Sequence, residues 1–284
     1  MPNAALILYY SRSQNTTQLA KAAEAAIAAC GWQVIRMPLA RAVKAFPEVD
    51  PSLVVLGVPV HYWTVPAAAM ELIQNLPAMN GSHAFVYSCY GGCVTNNVPF
   101  TLAQEMTAKG ARVIGGAQFL APHSIRNAGG RRLGEEEERF GKGHPTGKAL
   151  AEFADALTRA ARAIETRSAR PVNQDLLKIN TMGFISGVMD AVSPLKMKRA
   201  FMPPVTVNPS ACDGCHACSS VCDTGSIKHE GAGIVRIDQK TCYRCYGCIE
   251  VCPNNALTTN WKQAEWLVRS MKWIVRDAES LIVL

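Results

Sequence analysis

Along the first 165 residues, apolar and polar positions alternate between two periods. Short apolar runs at Ala4 to Tyr10, Trp32 to Leu39, Leu53 to Val60, Ala84 to Cys89 and Arg112 to Leu120 read as strands. Helix-patterned segments stand between them. The first puts Leu19, Ala23, Ala26, Ile27 and Cys30 on one face and stops at Gly31, a helix-terminating glycine. Further helices are predicted over Pro66 to Asn75, Pro99 to Lys109 and Thr146 to Glu165. Five strands alternating with helices predict an α/β domain over 1–165, a parallel sheet wrapped on both faces.

The pattern changes after Leu120. "HSIRNAGGRRLGEEEERFGKGHP" is polar and glycine-punctuated, a surface excursion. Its acid run Glu135 to Glu138 reads as a solvated helical turn, with a partner-docking patch as the alternative. Residues 166–203 begin as a polar linker and become amphipathic: Leu177, Met182, Ile185 and Met189 share one side ahead of Lys196, Lys198 and Arg199. This predicts a helix packing one domain on the other, against the alternative of a basic membrane-surface helix and peripheral membrane contact. After a cysteine-rich segment at 204–260, residues 261–284 read as a docking helix. Trp266, Met271 and Ile274 face a core there, and Arg269, Lys272 and Arg276 face water.

Length and composition agree with two domains: 284 residues at about 150 per domain, 49% of them hydrophobic. No segment reaches the roughly 18 uninterrupted apolar residues of a spanning helix. The apolar N-terminal stretch has neither a preceding basic region nor a cleavage site, so the expectation is a soluble, cytoplasmic protein. The net charge of +7 comes from scattered Lys and Arg rather than blocks, which argues against a nucleic-acid partner.

Eight of the eleven cysteines crowd between Cys212 and Cys252. "VNPSACDGCHACSSVCDTGSI" from Val207 aligns without gaps on "IDQKTCYRCYGCIEVCPNNAL" from Ile237, every cysteine matched, so this is a duplicated unit. Each half follows C-x2-C-x2-C-x3-C. Thiolates are soft ligands, and three within seven residues wrap a compact cluster while a fourth must arrive from elsewhere. Zinc is the alternative, but it usually draws four tetrahedral ligands from separated C-x2-C pairs; disulfides suit a small secreted chain better than this one.

From Val207 to about Leu257 the chain resembles the bacterial two-cluster ferredoxins. The resemblance implies two [4Fe-4S] clusters and crossed ligation: Cys212, Cys215 and Cys218 with Cys252, and Cys242, Cys245 and Cys248 with Cys222. One position departs from the family. Asp223 follows Cys222 where the second half has Pro253, and a carboxylate near a cluster disfavours its more negative reduced state.

The N-terminal residues resemble the flavodoxins, an α/β doubly wound sheet of order 2-1-3-4-5 with flavin mononucleotide (FMN) beyond the carboxyl ends of its strands. Three loops are then expected at the flavin. In the first, Ser11-Arg12-Ser13-Gln14-Asn15-Thr16 stands where flavodoxins show a Thr/Ser-x-Thr/Ser-Gly-Asn-Thr pattern, so Ser11, Ser13, Gln14, Asn15 and Thr16 are the candidate phosphate contacts. Gln14 is the departure. If its slot demands a left-handed backbone, a side chain costs roughly 1 to 2 kcal/mol there. In the second loop, Tyr62, Trp63 and Thr64 follow strand three, where an aromatic ring stacks on the flavin. In the third, Tyr90, Gly91, Gly92 and Cys93 follow strand four, the glycines admitting a close backbone approach. Cys93 reads as a small inert cysteine, with a redox thiol as the alternative. His61 and His123 read as solvated loop histidines, with donation to substrate as theirs.

Together the two parts resemble the flavodoxin-ferredoxin fusion proteins of anaerobic bacteria and archaea. The resemblance implies an electron-transfer flavoprotein that relays electrons between two clusters and FMN for a redox protein donor or acceptor, with no catalytic acid or base. The alternatives are an FMN-dependent reductase of a quinone or other small acceptor, and a ferredoxin with a flavin-free docking domain. A second copy of the chain is a further candidate partner.

Overall fold

The computed structural model describes residues 3–12, 14–92, 97–123, 141–178, 202–222, 224–230, 234–272 and 280–284. The chain divides into two compact units, one of residues 1–122, 141–183 and 275–284, the other of 123–140 and 184–274.

The first unit is built on β1 (Ala4–Tyr9), β2 (Gln33–Pro38), β3 (Leu53–Pro59), β4 (His83–Tyr90) and β5 (Arg112–Leu120), all parallel. Between them run α1 (Asn15–Ala28), α2 (Leu39–Lys44), α3 (Ala67–Gln74) and α4 (Val98–Ala108), and α5 (Gly147–Glu165) follows. The order 2-1-3-4-5 with helices on both faces is the doubly wound, flavodoxin-like arrangement. β3 is buried along its whole length, because a central parallel strand is covered twice. On one face Leu6, Leu8, Val54, Leu56 and Val86 meet Leu39 of α2, Ile73 of α3 and Leu102 of α4. On the other, Ile7, Val55, Phe85 and Tyr87 meet Leu19, Ala23 and Ile27 of α1 and Phe153 and Leu157 of α5.

Three features differ from the sequence reading. The run read as strand through Leu39 turns into α2 there, a helix of six residues and too short to show a helical period. Leu177 ends a 3-10 turn, Gln174–Leu177, instead of opening an amphipathic helix; it is fully buried over Gly116, where a Cβ would stand 2.6 Å from its Cδ2. The helix predicted to fill 261–284 gives way to a strand, Leu281–Val283, which pairs antiparallel with β5 and caps the sheet as a sixth strand. Residues 179–201, the rest of the amphipathic helix predicted within 166–203, and the acid run Glu135 to Glu138 lie outside the described residues.

The second unit contains β6 (Thr206–Val207), α6 (Ala217–Ser220), β7 (Ile227–Glu230), β8 (Ile234–Ile237), α7 (Gly247–Val251), β9 (Leu257–Thr258) and α8 (Trp261–Lys272). The first strand of each repeat pairs antiparallel with the last strand of the other, β6 with β9 and β7 with β8, so the duplication is an interlocked pair. In α8, Trp261 packs on Tyr246 with ring centroids 5.5 Å apart and Ala264 is fully buried. Trp266, expected to face a core, is instead 66% exposed, because two residues past Ala264 the helix has turned by about 200°. Met271 and Ile274 lie outside the described side chains. The strand Leu281–Val283 is named β10 below.

Candidate functional site

The loops leaving β1, β3 and β4 all open at the carboxyl edge of the sheet, and each carries left-handed backbone. After β1, Gln14 has φ 66 and ψ −11 and serves as the N-cap of α1 without a side-chain capping bond. The slot where the flavodoxin pattern has glycine is therefore left-handed in this chain, and the conditional cost of a side chain applies. The first-turn N–H groups of α1 receive no side-chain cap from Gln14, the arrangement that suits an anion. Ser11 Oγ is buried with no hydrogen-bond partner among the described residues, a polar group that a phosphate oxygen would satisfy. Ser13 lies outside the described residues.

Two other loop residues are committed to the fold. Asn15 Nδ2 donates to the Pro122 carbonyl at 3.0 Å, tying the first loop to the end of β5. Thr16 is buried with its hydroxyl against the Cys89 thiol, which burial pushes up to about 12. Its carbonyl accepts from Tyr87 Oη at 3.0 Å. Tyr87 reaches it across Gly57, its register partner on β3, where a Cβ would stand 2.0 Å from the ring. Tyr87 thus fixes the start of α1. Sequence reading missed it, since the signal, a glycine beside a tyrosine, exists once the strands are in register. Arg12 was also unassigned; it is buried, with Nε donating to Tyr10 Oη at 2.8 Å.

After β3 the chain folds back at once: His61 and Thr64 exchange backbone hydrogen bonds, both 3.0 Å. Tyr62 and Trp63 between them have φ 49 and 67. Positive φ at both central residues belongs to a turn usually made with Asn and Gly, so two aromatic residues are held there at a cost of about 1 to 2 kcal/mol each. Backbone strain of this kind gathers at ligand sites. Both residues are half-buried, as are His61 and Thr64. Tyr90, expected in the third loop, is instead the buried last residue of β4; after it Gly92 has φ 77, and Cys93 lies outside the described residues. Asn97, the left-handed N-cap of α4, has a buried Oδ1 with no partner among the described residues. Burial pushes the His123 imidazole down to about 4, so it carries no charge at neutral pH.

In the second unit, one cavity is lined by Cys212, Cys215 and Cys218 of the first repeat and Cys252 of the second. Burial pushes the Cys218 thiol up and Cys252 adds to it; burial also raises Cys242 and Cys248, with Cys245 and Cys222 adding to both. Around this cavity, three cysteines of the first repeat meet the last cysteine of the second. None of the ten described cysteines is in a disulfide. Backbone N–H groups reach two of the sulfurs, Arg244 N to Cys242 Sγ at 3.4 Å and Ala256 N to Cys252 Sγ at 3.3 Å. Asp213 is held below the usual carboxylate range by Asn254 and the Cys215 N–H. Asp223 lies outside the described residues.

Residues 201–257 match the family described as "4Fe-4S dicluster domain". No curated protein matches the chain. Among solved structures, a flavodoxin from the domain Archaea is similar at 17% identity, TM-score 0.42, over 57% of this chain and 99% of that one. The solution structure of two-electron reduced Megasphaera elsdenii flavodoxin is similar at 23% identity, TM-score 0.35, over 41% and 85%. Rubredoxin oxygen:oxidoreductase from the anaerobe Desulfovibrio gigas is similar at 15% identity, TM-score 0.44, over 60% and 38%. Among the described residues no helix is long and apolar enough to cross a membrane. The chain thus joins a flavodoxin-like fold, given by its own sheet order, to a 4Fe-4S dicluster domain.

Proposed function

We propose that the chain is an electron carrier with FMN at the carboxyl edge of its sheet and two [4Fe-4S] clusters in its cysteine repeat. The observation that supports this most is the meeting of Cys252 with Cys212, Cys215 and Cys218 around one cavity, inside a segment that matches a dicluster domain. Cys242, Cys245, Cys248 and Cys222 form the second ligand set. Ser11 and the first-turn N–H groups of α1 hold the phosphate, Tyr62 and Trp63 flank the ring system and shield it from water, and Gly91 and Gly92 let the main chain approach its edge. The clusters supply one-electron steps and FMN steps of one or two, so a chain with both serves redox proteins of either kind. No side chain is assigned a proton-transfer role. Ten cysteines outside any disulfide suit a reducing compartment, the cytoplasm.

The half-buried residues Tyr62 and Trp63 favour a second reading, an FMN-dependent reductase of a quinone or similar flat acceptor. Anaerobic purification tests both. The expected holoprotein carries about eight irons, matching acid-labile sulfide and one FMN per chain. Stoichiometric zinc without sulfide overturns the reading. Steady-state reduction of a quinone without a second protein would assign the reductase.

A further inference from the structure

The two cysteine repeats share their backbone turn by turn. Left-handed residues stand at Gly214 and Arg244, at His216 and Tyr246, and at Gly225 and Asn255, each pair thirty positions apart. Asn208 and Asp238 each accept from a backbone N–H two residues on, at 3.1 and 2.9 Å.

Within this frame the first pair differs in chemistry. Gly214 takes the left-handed slot without penalty. Arg244 takes it at φ 53, where a side chain costs about 1 to 2 kcal/mol. Its guanidinium is not spent in solvent: the residue is half-buried and Nη1 donates to the Met202 carbonyl. Its backbone N–H donates to Cys242 Sγ at 3.4 Å, which sets the residue and its cation beside a ligand of the second site. The first loop has Asp213 at its surface and no cation at the matching place. Strain retained for a side chain that the sister loop does without points to work done by that side chain.

We propose that Arg244 raises the reduction potential of the second iron-sulfur site and thereby sets how an electron divides between the two. The inference rests on the reading that Cys242, Cys245, Cys248 and Cys222 hold a cluster. Reduction adds one electron, from a redox protein or a chemical reductant, and one negative charge to that site, with no bond made or broken. The buried position of Cys242 opposes the added charge. A fixed, partly desolvated cation favours it and is screened less than a surface charge would be.

The test is a redox titration, followed by electron paramagnetic resonance, of the anaerobically purified full chain and of Arg244→Gly, Arg244→Gln and Arg244→Lys. Glycine suits the left-handed slot, glutamine keeps bulk without charge, and lysine keeps charge. Both uncharged variants are expected to retain iron, leave one midpoint in place and lower the other, moving the electron's division between sites at least tenfold, which is 59 mV for one electron. Lysine restores most of it. Full iron with a division changed less than twofold in Arg244→Gly and Arg244→Gln overturns the inference alone. A wild-type chain without iron overturns the cluster reading and this inference with it.

Discussion

On the proposed function the two units solve the same problem, holding a redox group, with opposite resources. The α/β unit has five parallel strands of six to nine residues, the central β3 buried throughout, and a core on each face of the sheet. Its candidate site is a rim of strained loops that the core can sustain. The cysteine-rich unit has strands of two to four residues and, in its repeats, helices of four and five. Cys218 and Cys242 themselves stand among its buried residues. A unit so small needs its ligands as staples. In the first unit the fold holds the site, whereas in the second the site holds the fold.

The most severe way to break this contrast is to remove iron. Chelation under reducing conditions is expected to abolish amide protection across residues 204–258 while β1, β3 and β4 keep theirs, measured by hydrogen exchange. Equal loss in both units would refute the contrast. Next in size is Gly57→Ala. Its Cβ would overlap the Tyr87 ring, at an expected cost of about 1 to 3 kcal/mol and with weakened FMN affinity, read by thermal melting and flavin titration. Tyr87→Phe removes the bond to the Thr16 carbonyl alone; about 1 kcal/mol is expected, with a smaller loss of flavin.

Acid should act on both units in the same direction by different routes. Burial lowers the His83 imidazole, so the folded unit keeps it neutral while the unfolded chain takes up a proton below about 6.5. Stability of the α/β unit therefore falls as pH drops through that value. In the other unit the thiols are raised and must lose protons to bind iron, so cluster loading should improve as pH rises. Melting and reconstitution followed from pH 5 to 9 check the two arms separately. The smallest effect is expected from Gln14→Gly: relief of left-handed strain, partly offset by the freer unfolded chain, leaves a gain under about 1 kcal/mol and flavin binding equal or tighter. A large loss of flavin would mean that the Gln14 side chain itself holds the group.

What the sequence made legible follows from how local each signal is. Five parallel strands stood out because buried strands are unbroken apolar runs, and the strand order came with the resemblance. β10 did not stand out: "LIV" after a helical pattern carries no sign of its pairing, which depends on the open edge of β5. Spacing alone demanded a fourth thiolate from elsewhere for each group of three, and Cys252 does line the cavity with Cys212, Cys215 and Cys218. In the first loop, the pattern located the odd slot at Gln14 but not that the Thr16 hydroxyl turns inward to Cys89, because that depends on a neighbour seventy-three positions away. Trp266 misled for the opposite reason. A large apolar residue on a helix reads as core until the buried face is known to belong to Trp261 and Ala264.

The pairing of β10 with β5 changes how the chain's two units are connected. The polypeptide leaves the α/β unit before the first cysteine of the repeat and comes back to it at Leu281, so the cysteine-rich unit is topologically an insertion rather than a tail. Cutting after α5 would therefore not excise a clean flavodoxin-like fragment. It would strip the outer strand from β5 and bare a row of backbone donors and acceptors, an adhesive edge. A faithful single-unit protein would instead splice a short linker from Leu177 to Leu281, keeping both the plug over Gly116 and the strand that closes the sheet.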